Sequence, residues 1–135
     1  DEDTDAFNKV MDAIRLPAAG DEEKAHKAEA LREANRGATL VPLGVLERTH
    51  SVLDLARETA SKGNPNSVSD AGVAALAARA AAEGAYYNVL INLKSLDGDD
   101  AWASAIAARA HVAVSEARRR AEAVAAQVEA SLRKD

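Results

Sequence analysis

The C-terminal part of the chain carries the pattern that most restricts its fold. Apolar side chains recur there every three or four residues, which is the spacing of one face of an α-helix. A helix of about thirty residues extends over about 45 Å, so it must pack along the whole molecule or across a dimer interface. The Asp97-Gly98-Asp99-Asp100 stretch predicts a turn that leaves an acidic cap. The residues at helical spacing are Trp102, Ile106, Ala110, Val114, Ala117, Ala121, Val124, Val128 and Leu132.

Composition limits how these helices can pack and what they can bind. Alanine accounts for 33 of the 135 residues and aromatic residues for 3%, so each contact buries little surface and helices must approach closely, with help from a second subunit. The net charge is −5 with basic and acidic residues interspersed, which argues against a nucleic-acid partner. There are no cysteines, which fits a cytoplasmic protein. No apolar run is long enough for a membrane span and no leader is recognised, so no membrane association is expected.

The rest of the chain predicts four or five helical segments and no strand, and therefore an all-α helical bundle in a single domain of residues 1–135. A first helix should end before Leu16-Pro17. A second should begin with Asp21 as N-cap, be kinked or restarted at Pro42, and end at Lys62-Gly63 with glycine at the C′ position. The apolar face of the first helix comprises Ala6, Phe7, Val10, Met11 and Ile14.

A third helical region is composed almost entirely of alanine, valine and leucine from Val73 to Ala82. This composition predicts a central helix surrounded by others. Gly84 permits a bend after it. The segment from Tyr86 to Leu96 fits a helix or a buried strand, and a helix is favoured because no other strand is available for pairing.

Polar side chains interrupt the apolar region in two places. One is the turn from Gly63 to Gly72, and the other is the pair Asn88 and Asn92. Buried amides need hydrogen-bond partners, so these groups predict either a structural polar network or a pocket for a flat polar ligand. In the simpler alternative, Ser67 and Ser69 only cap a helix and the two asparagines only bond across a helix contact.

Most of the remaining charged residues and the histidines fit an ordinary structural role, and one aspartate also fits a catalytic role. The acids from Asp1 to Asp5 favour a helix N-terminus, whereas a sharper hypothesis makes Asp3 a carboxylate beside a cleft, placed for proton transfer. The run Arg118-Arg119-Arg120 is accompanied by glutamates, which is typical of a solvated face. The three histidines, His26, His50 and His111, lack the spacing of a metal site, so no metal is predicted.

Five motifs follow one another along nearly the whole chain: Asp1-x-Asp3-x-x-Ala6-Phe7, Arg15-Leu16-Pro17, Val41-Pro42-Leu43, the turn from Gly63 to Asp70, and Gly84-Ala85-Tyr86-x-Asn88-Val89-x-Ile91-Asn92-Leu93. In this order and spacing the chain resembles the cyclodeaminase domain of formiminotransferase-cyclodeaminase and the related bacterial cyclodeaminase/cyclohydrolase proteins. The resemblance implies an all-helical, dimeric, cytoplasmic protein that binds folate. It implies conversion of 5-formiminotetrahydrofolate to 5,10-methenyltetrahydrofolate with release of ammonia, a lyase step of histidine degradation, or hydrolysis of the methenyl compound.

The resemblance also implies roles for individual residues. Asp3, the second acid of the first motif, is the implied general acid/base that protonates the departing nitrogen. Tyr86 or Tyr87 would lie against the pterin ring, and Lys94 would meet the glutamate tail, unless it is an ordinary surface lysine. No cofactor beyond the tetrahydrofolate substrate is expected. The groups that match the polar edge of the pterin are Asn64, Asn66, Ser69, Asp70, Asn88 and Asn92.

The chain departs from the family pattern at its beginning. The family's domain starts with further helices and a Pro-Gly-Gly-Gly-Ser-like turn, for which this sequence has no counterpart. Part of the Val73–Ala82 helix should therefore be uncovered, leaving an apolar surface that favours association. The alternative to a folate enzyme is a non-catalytic helical assembly module that retains the scaffold.

Overall fold

A computed structural model describes residues 1–96 and 101–133. Over these ranges the chain forms α1 (Glu2–Arg15), α2 (Asp21–Lys62), a short 3₁₀ turn (Pro65–Ser67), α3 (Val68–Leu93) and α4 (Ala101–Leu132), without a strand. The all-α prediction is confirmed for this part of the chain, and the turn predicted at residues 97–100 lies outside it. None of the described helices is both long and apolar enough to cross a membrane.

Local sequence determines both ends of α1. The Asp1 carboxylate accepts a hydrogen bond from the backbone N–H of Thr4 at 3.0 Å, so it caps the helix. The acids that follow occupy the first turn, where they favour the helix dipole. The helix ends at Arg15, before Leu16-Pro17, as predicted.

The predicted apolar face of α1 is only partly covered. Ala13 is buried, but the side chains of Phe7 and Ile14 are 61% and 47% exposed. Among the described helices α1 packs against α2 alone, which is why so much of its surface faces solvent.

The ends of α2 differ in detail from the prediction. Gly20, rather than Asp21, holds the N-cap position, so the helix begins one residue earlier. Gly63 ends the helix, but with an extended backbone (φ −74°, ψ 177°) instead of the left-handed conformation of a C′ glycine. Its N–H donates to the Thr59 carbonyl at 2.8 Å. A Cβ at position 63 would collide with that same carbonyl oxygen, so glycine is required there for lack of space.

The second helix continues through Pro42, so of the predicted kink or restart the restart is wrong. Proline has no N–H, and the carbonyl that it would have bonded, four residues earlier at Ala38, loses its partner within the helix. The Asn92 side chain on α3 replaces that partner: its Nδ2 donates to the Ala38 oxygen at 2.9 Å. This hydrogen bond satisfies the freed carbonyl and fixes α3 to α2 at the proline, in an unbroken helix about 63 Å long.

The third helix is unbroken from Val68 to Leu93, so the strand alternative is wrong for the helical part of the Tyr86–Leu96 segment. The composition-based prediction that α3 is surrounded is wrong within this chain, whereas the expectation that part of the Val73–Ala82 segment is uncovered is confirmed. Val73 and Leu76 are 65% and 61% exposed, because α2 and α4 cover only one face. The residues of the buried face are mostly alanine: Ala71, Ala75, Ala78, Ala82, Ala85 and Val89.

The fourth helix confirms the C-terminal prediction, with buried residues at the expected spacing from Ile106 to Val128. Near its start, the Arg36 guanidinium of α2 lies 5.2 Å from the centre of the Trp102 ring. Near its end, Val128 closely approaches Gly72 of α3. The largest fully buried side chains lie where α2, α3 and α4 meet: Leu43, Leu46, Leu53, Val89, Val114 and Val124.

Arginines of α4 pair with carboxylates on its neighbours rather than forming a free basic patch. Arg109 donates to Glu47 of α2 at 2.6 and 2.8 Å, and Arg118 donates to Glu83 of α3 at 2.6 Å through two nitrogens. The second pair lowers the pKa of Glu83 through the hydrogen bonds from the guanidinium. These bidentate pairs fix the rotation of α4 relative to α2 and α3.

Replacing Asn92 tests the account of Pro42. Asn92→Leu leaves the Ala38 carbonyl without a donor, which should lower the free energy of unfolding by about 1 kcal/mol for this half-buried group. In a Pro42→Ala background the helix supplies its own N–H, so the same substitution should cost clearly less. Chemical denaturation of the four proteins measures the coupling. Asn88→Leu, one turn earlier and exposed, is the control, and an equal cost of Asn92→Leu in both backgrounds contradicts the assignment.

Glu116 should make stability depend on pH. Hydrogen bonds from Arg119, and then from Arg120, lower the pKa of Glu116 from 4.5 to about 2. A lowered carboxyl pKa stabilises the folded chain above the unfolded pKa of 4.5, and this contribution is lost as the pH falls towards 2. Glu116→Gln should therefore lower the melting temperature at pH 7, with a difference from the wild type that shrinks in acid. Glu129→Gln, at an exposed pair with Arg133, should show a smaller difference; a gap that widens in acid would refute the assignment.

Candidate functional site

A groove lies where α1 folds back along the first half of α2. The Lys27 ammonium of α2 donates to the carbonyls of Ile14 and Leu16, at 2.6 and 3.0 Å, and so holds the C-terminal end of α1. At the other end, Glu2 and Val41 line the same groove. Its volume is about 530 Å³, and its apolar lining consists of Ala6, Ala13, Leu16, Ala30, Ala34 and Val41.

Small residues on α2 leave this space open. Ala30, Ala34, Gly37 and Val41 follow one another at three- and four-residue spacing on the side of α2 that faces α1. Larger side chains at these positions would fill the volume between the two helices. The groove is therefore a product of the same alanine-rich composition that packs the core.

The polar lining of the groove is predominantly acidic. It comprises four carboxylates and one ammonium: Glu2, Asp5, Asp12, Glu33 and Lys9. Asp12 pairs with the exposed Arg15 at 3.6 Å, and Glu33 pairs with the half-buried Arg36 at 3.5 Å. Glu2 and Asp5 form no ion pair with any residue that the structure describes. The groove thus combines an apolar floor of small side chains with a polar rim on which two of the four carboxylates are paired with arginine.

Asp3, the residue predicted to transfer protons, lies on the first turn of α1 and is exposed. Its side chain is not part of the groove lining, although Glu2 and Asp5 on either side of it in sequence are. It shares a side of α1 with Phe7, at i+4, and with Ile14, at i+11. The carboxylate therefore borders a strip of exposed apolar side chains.

The predicted ligand-binding turn lies at the opposite end of α2 from α1. The Asn64 side chain accepts a hydrogen bond from the Asn66 N–H at 3.0 Å, so it stabilises the turn itself. Ser67 takes the N-cap position of α3 without a side-chain hydrogen bond, and Ser69 and Asp70 are exposed. Along α2 this turn is about 30 Å from the level of the groove. The chain alone does not bring Asn64, Asn66, Ser69 or Asp70 together with Asp3.

The remaining predicted residues lie in the second half of α3, nearer to α1, except Lys94, which follows the last residue of that helix. Asn92 bonds to Ala38, so this part of α3 lies beside the portion of α2 that carries the groove. Tyr86 is half-buried, with its ring 6.1 Å from Tyr87 and 6.4 Å from His111, while Asn88 and Lys94 are exposed. None of these residues lines the groove or either of two other cavities along the second half of α2.

Sequence reasoning missed the groove and its carboxylates. The signal was present, because Asp5, Lys9 and Asp12 on α1 recur at helical spacing opposite small residues on α2. In a sequence, however, acids at such spacing are typical of a solvated face. In residues 1–96 and 101–133, no group of three or more histidine, cysteine, aspartate or glutamate side chains could hold a metal ion.

The described helices and the groove define an all-α domain with an acidic interhelical cleft. Residues 1–112 match the family model described as formiminotransferase-cyclodeaminase, and the chain belongs to that family. It is 48% identical over 96 residues to a methenyltetrahydrofolate cyclohydrolase of Methylorubrum extorquens, a match that covers 71% of this chain and 46% of that protein.

Two mammalian relatives show the same similarity. The chain is 38% identical over 130 residues to a formimidoyltransferase-cyclodeaminase of Sus scrofa, covering 96% of this chain and 24% of the relative. It is 41% identical over 99 residues to that of Mus musculus, covering 73% of this chain and 18% of the relative. The chain thus spans less than half the length of these proteins.

Removing the Lys27 contact should loosen the groove without unfolding the core. Lys27→Met keeps the apolar stem but removes the donors to the last carbonyls of α1, worth about 1 kcal/mol. Amide hydrogen exchange in α1 should accelerate by roughly fivefold, the equivalent of that energy, while α3 and α4 stay protected. Lys24→Met, an exposed lysine three residues away, is the control. Unchanged exchange in α1 would show that Lys27 does not hold it.

Proposed function

We propose that this chain is part of an enzyme of folate one-carbon metabolism, acting as a formiminotetrahydrofolate cyclodeaminase or a methenyltetrahydrofolate cyclohydrolase. The observation that carries the proposal is the family match over residues 1–112, together with relatives named for these two activities. Both reactions act on a one-carbon unit of the reduced folate, which is bonded to N5 in the formimino compound and bridges N5 and N10 in the methenyl compound, so one scaffold can serve either.

The two reactions require the same kind of proton transfer. In the cyclodeaminase reaction, N10 attacks the formimino carbon, and the departing nitrogen must gain a proton to leave as ammonia. In the cyclohydrolase reaction, water adds to the methenyl carbon, loses a proton, and one ring nitrogen is protonated as its bond to carbon breaks. A carboxyl group can carry these protons, and Asp3 is our candidate for that role. No cofactor beyond the folate is needed.

The exposure of Asp3 and of the apolar strip beside it supports a site completed by another surface. A general acid works best where water is excluded, and Phe7 and Ile14 would be covered by such a contact. The uncovered face of α3, with Val73 and Leu76, favours association in the same way. We therefore include a homodimer or higher oligomer, located in the cytoplasm, in the proposal.

A non-catalytic assembly module is the second candidate. It is favoured by one observation, the separation of the Asn64–Asp70 turn from Asp3 along α2. In this case the polar turn serves only to connect two helices, and the exposed apolar faces serve assembly.

Assaying both reactions with the purified protein distinguishes these proposals. Ammonia release from 5-formiminotetrahydrofolate identifies a cyclodeaminase, and loss of 5,10-methenyltetrahydrofolate absorbance above the spontaneous rate identifies a cyclohydrolase. Asp3→Asn should lower kcat by roughly 100-fold or more, because general acid catalysis is lost. Asp21→Asn, an acid in the equivalent first turn of α2, should retain activity. Full turnover by Asp3→Asn would exclude Asp3 as the acid, and absence of both activities would favour the assembly module.

A further inference from the structure

The first helix and the first half of α2 form an arm that has almost no core of its own. None of residues 21–38 of α2 is buried, and Ala13 is the single buried residue of α1. Among the described helices α1 packs against α2 alone, so α1 does not tie this unit to α3 or α4. We name α1 together with residues 21–41 of α2 the N-terminal arm. Regions with so few buried contacts open at low free energy.

Pro42 lies where the N-terminal arm joins the core of α2, α3 and α4. It is buried, as are Thr39 and Leu43 on either side of it, so its ring lies on the side of α2 that faces the core. A proline ring inside a helix presses against the carbonyl four residues earlier, here Ala38, and the backbone hydrogen bond that would close this gap is missing. The helix can therefore widen on its core side, which bends the arm away from α3 and α4.

Two side-chain contacts hold the core side of the arm. The Asn92 Nδ2 of α3 donates to the Ala38 oxygen at 2.9 Å, on the carbonyl that Pro42 leaves without a backbone donor. Two residues earlier, the Arg36 guanidinium lies 5.2 Å from the centre of the Trp102 ring at the start of α4. Both contacts cross from the arm to the core, so both must lengthen when the arm bends. One such hydrogen bond changes the ratio of closed to open arm by roughly fivefold.

We propose that the N-terminal arm is a lever hinged at Pro42, and that the Asn92 amide is the latch that holds it against the core. Glu22, near the tip of the arm, is about 30 Å from Pro42 along α2. A bend of about 20°, the size of a proline kink, moves this tip by roughly 10 Å. The arm carries Asp3 whereas Asn88 belongs to α3, so the hinge sets the separation between two groups of predicted site residues. The proposal does not depend on folate chemistry.

Distances between spin labels measure the hinge directly, because the chain has no cysteine of its own. Labels at Glu22→Cys and Ser104→Cys report the position of the arm relative to α4, whereas labels at Ser61→Cys and Ser104→Cys both lie on the core side of the hinge. All three positions are exposed. With Asn92 in place, double electron–electron resonance should give one narrow distance distribution for each pair. Asn92→Leu should broaden the arm distribution towards longer distances, by roughly 3–10 Å, and leave the core distribution unchanged.

A second substitution identifies the proline as the hinge. Pro42→Ala removes the ring and supplies a backbone donor to the Ala38 carbonyl, so Asn92→Leu in this background should leave the arm distribution narrow. Asn88→Leu, at an exposed asparagine one turn earlier on α3, is the matched control and should change neither distribution.

Each outcome bears on the hinge. An arm distribution that Asn92→Leu leaves unchanged overturns the proposal, because the amide then holds nothing in place. A broadening that persists with Pro42→Ala, or that also appears between Ser61 and Ser104, overturns it as well, because the motion then reflects a general loosening. A broadening confined to the arm pair and abolished by Pro42→Ala supports the hinge.

Discussion

The hydrogen bond from Asn92 to the Ala38 carbonyl is the contact on which the arrangement of this chain depends. Each of the other described helices packs against α2, so α2 must be continuous for them to share one framework. Pro42, in the middle of the helix, leaves the Ala38 carbonyl without its usual backbone donor. The Asn92 side chain of α3 donates to that carbonyl instead. The first half of α2 carries α1 and the groove, and the second half carries the α3 and α4 core. Their relative position is therefore set at the proline.

Alanine has opposite consequences on the two sides of α2. Where α3 and α4 pack, alanines such as Ala75 and Ala110 bring the helix backbones close and leave no space. A cleft remains between α2 and α1, beside Ala30, Ala34 and Gly37 of α2. The side chains that α1 places at the edge of this cleft are charged, and no large apolar side chain fills the space. The difference between core and groove thus arises from both helices. In the core, α2 supplies leucines that pack against the alanines of α3 and α4, whereas beside α1 it presents small residues that no large side chain covers.

The helices could be predicted wherever a local signal determines them. The apolar spacing of α4 and the proline after α1 gave correct elements, because periodicity and φ restriction act within a few residues. The restart at Pro42 was wrong because the compensating donor is 54 residues away in sequence. The prediction that other helices surround α3 was wrong, because a helix that is apolar on all sides does not show which side is covered. The alternative in which an asparagine bonds across a helix contact is confirmed for Asn92. Asp3 came from the family resemblance, whereas the groove needed coordinates, because acids beside alanines look like a solvated surface in sequence.

The alanine face of α3 gives this chain an unusual sensitivity to substitution. In most cores the damaging change is truncation, because removing methylene groups leaves a void. Here a residue such as Ala78 or Ala82 has only a methyl group to remove, whereas a larger side chain finds no free volume and would push α3 away from α2 and α4. Substitutions by larger hydrophobic residues, which many protein cores tolerate, would separate the helices here. The buried face of α3 therefore accepts only the smallest side chains.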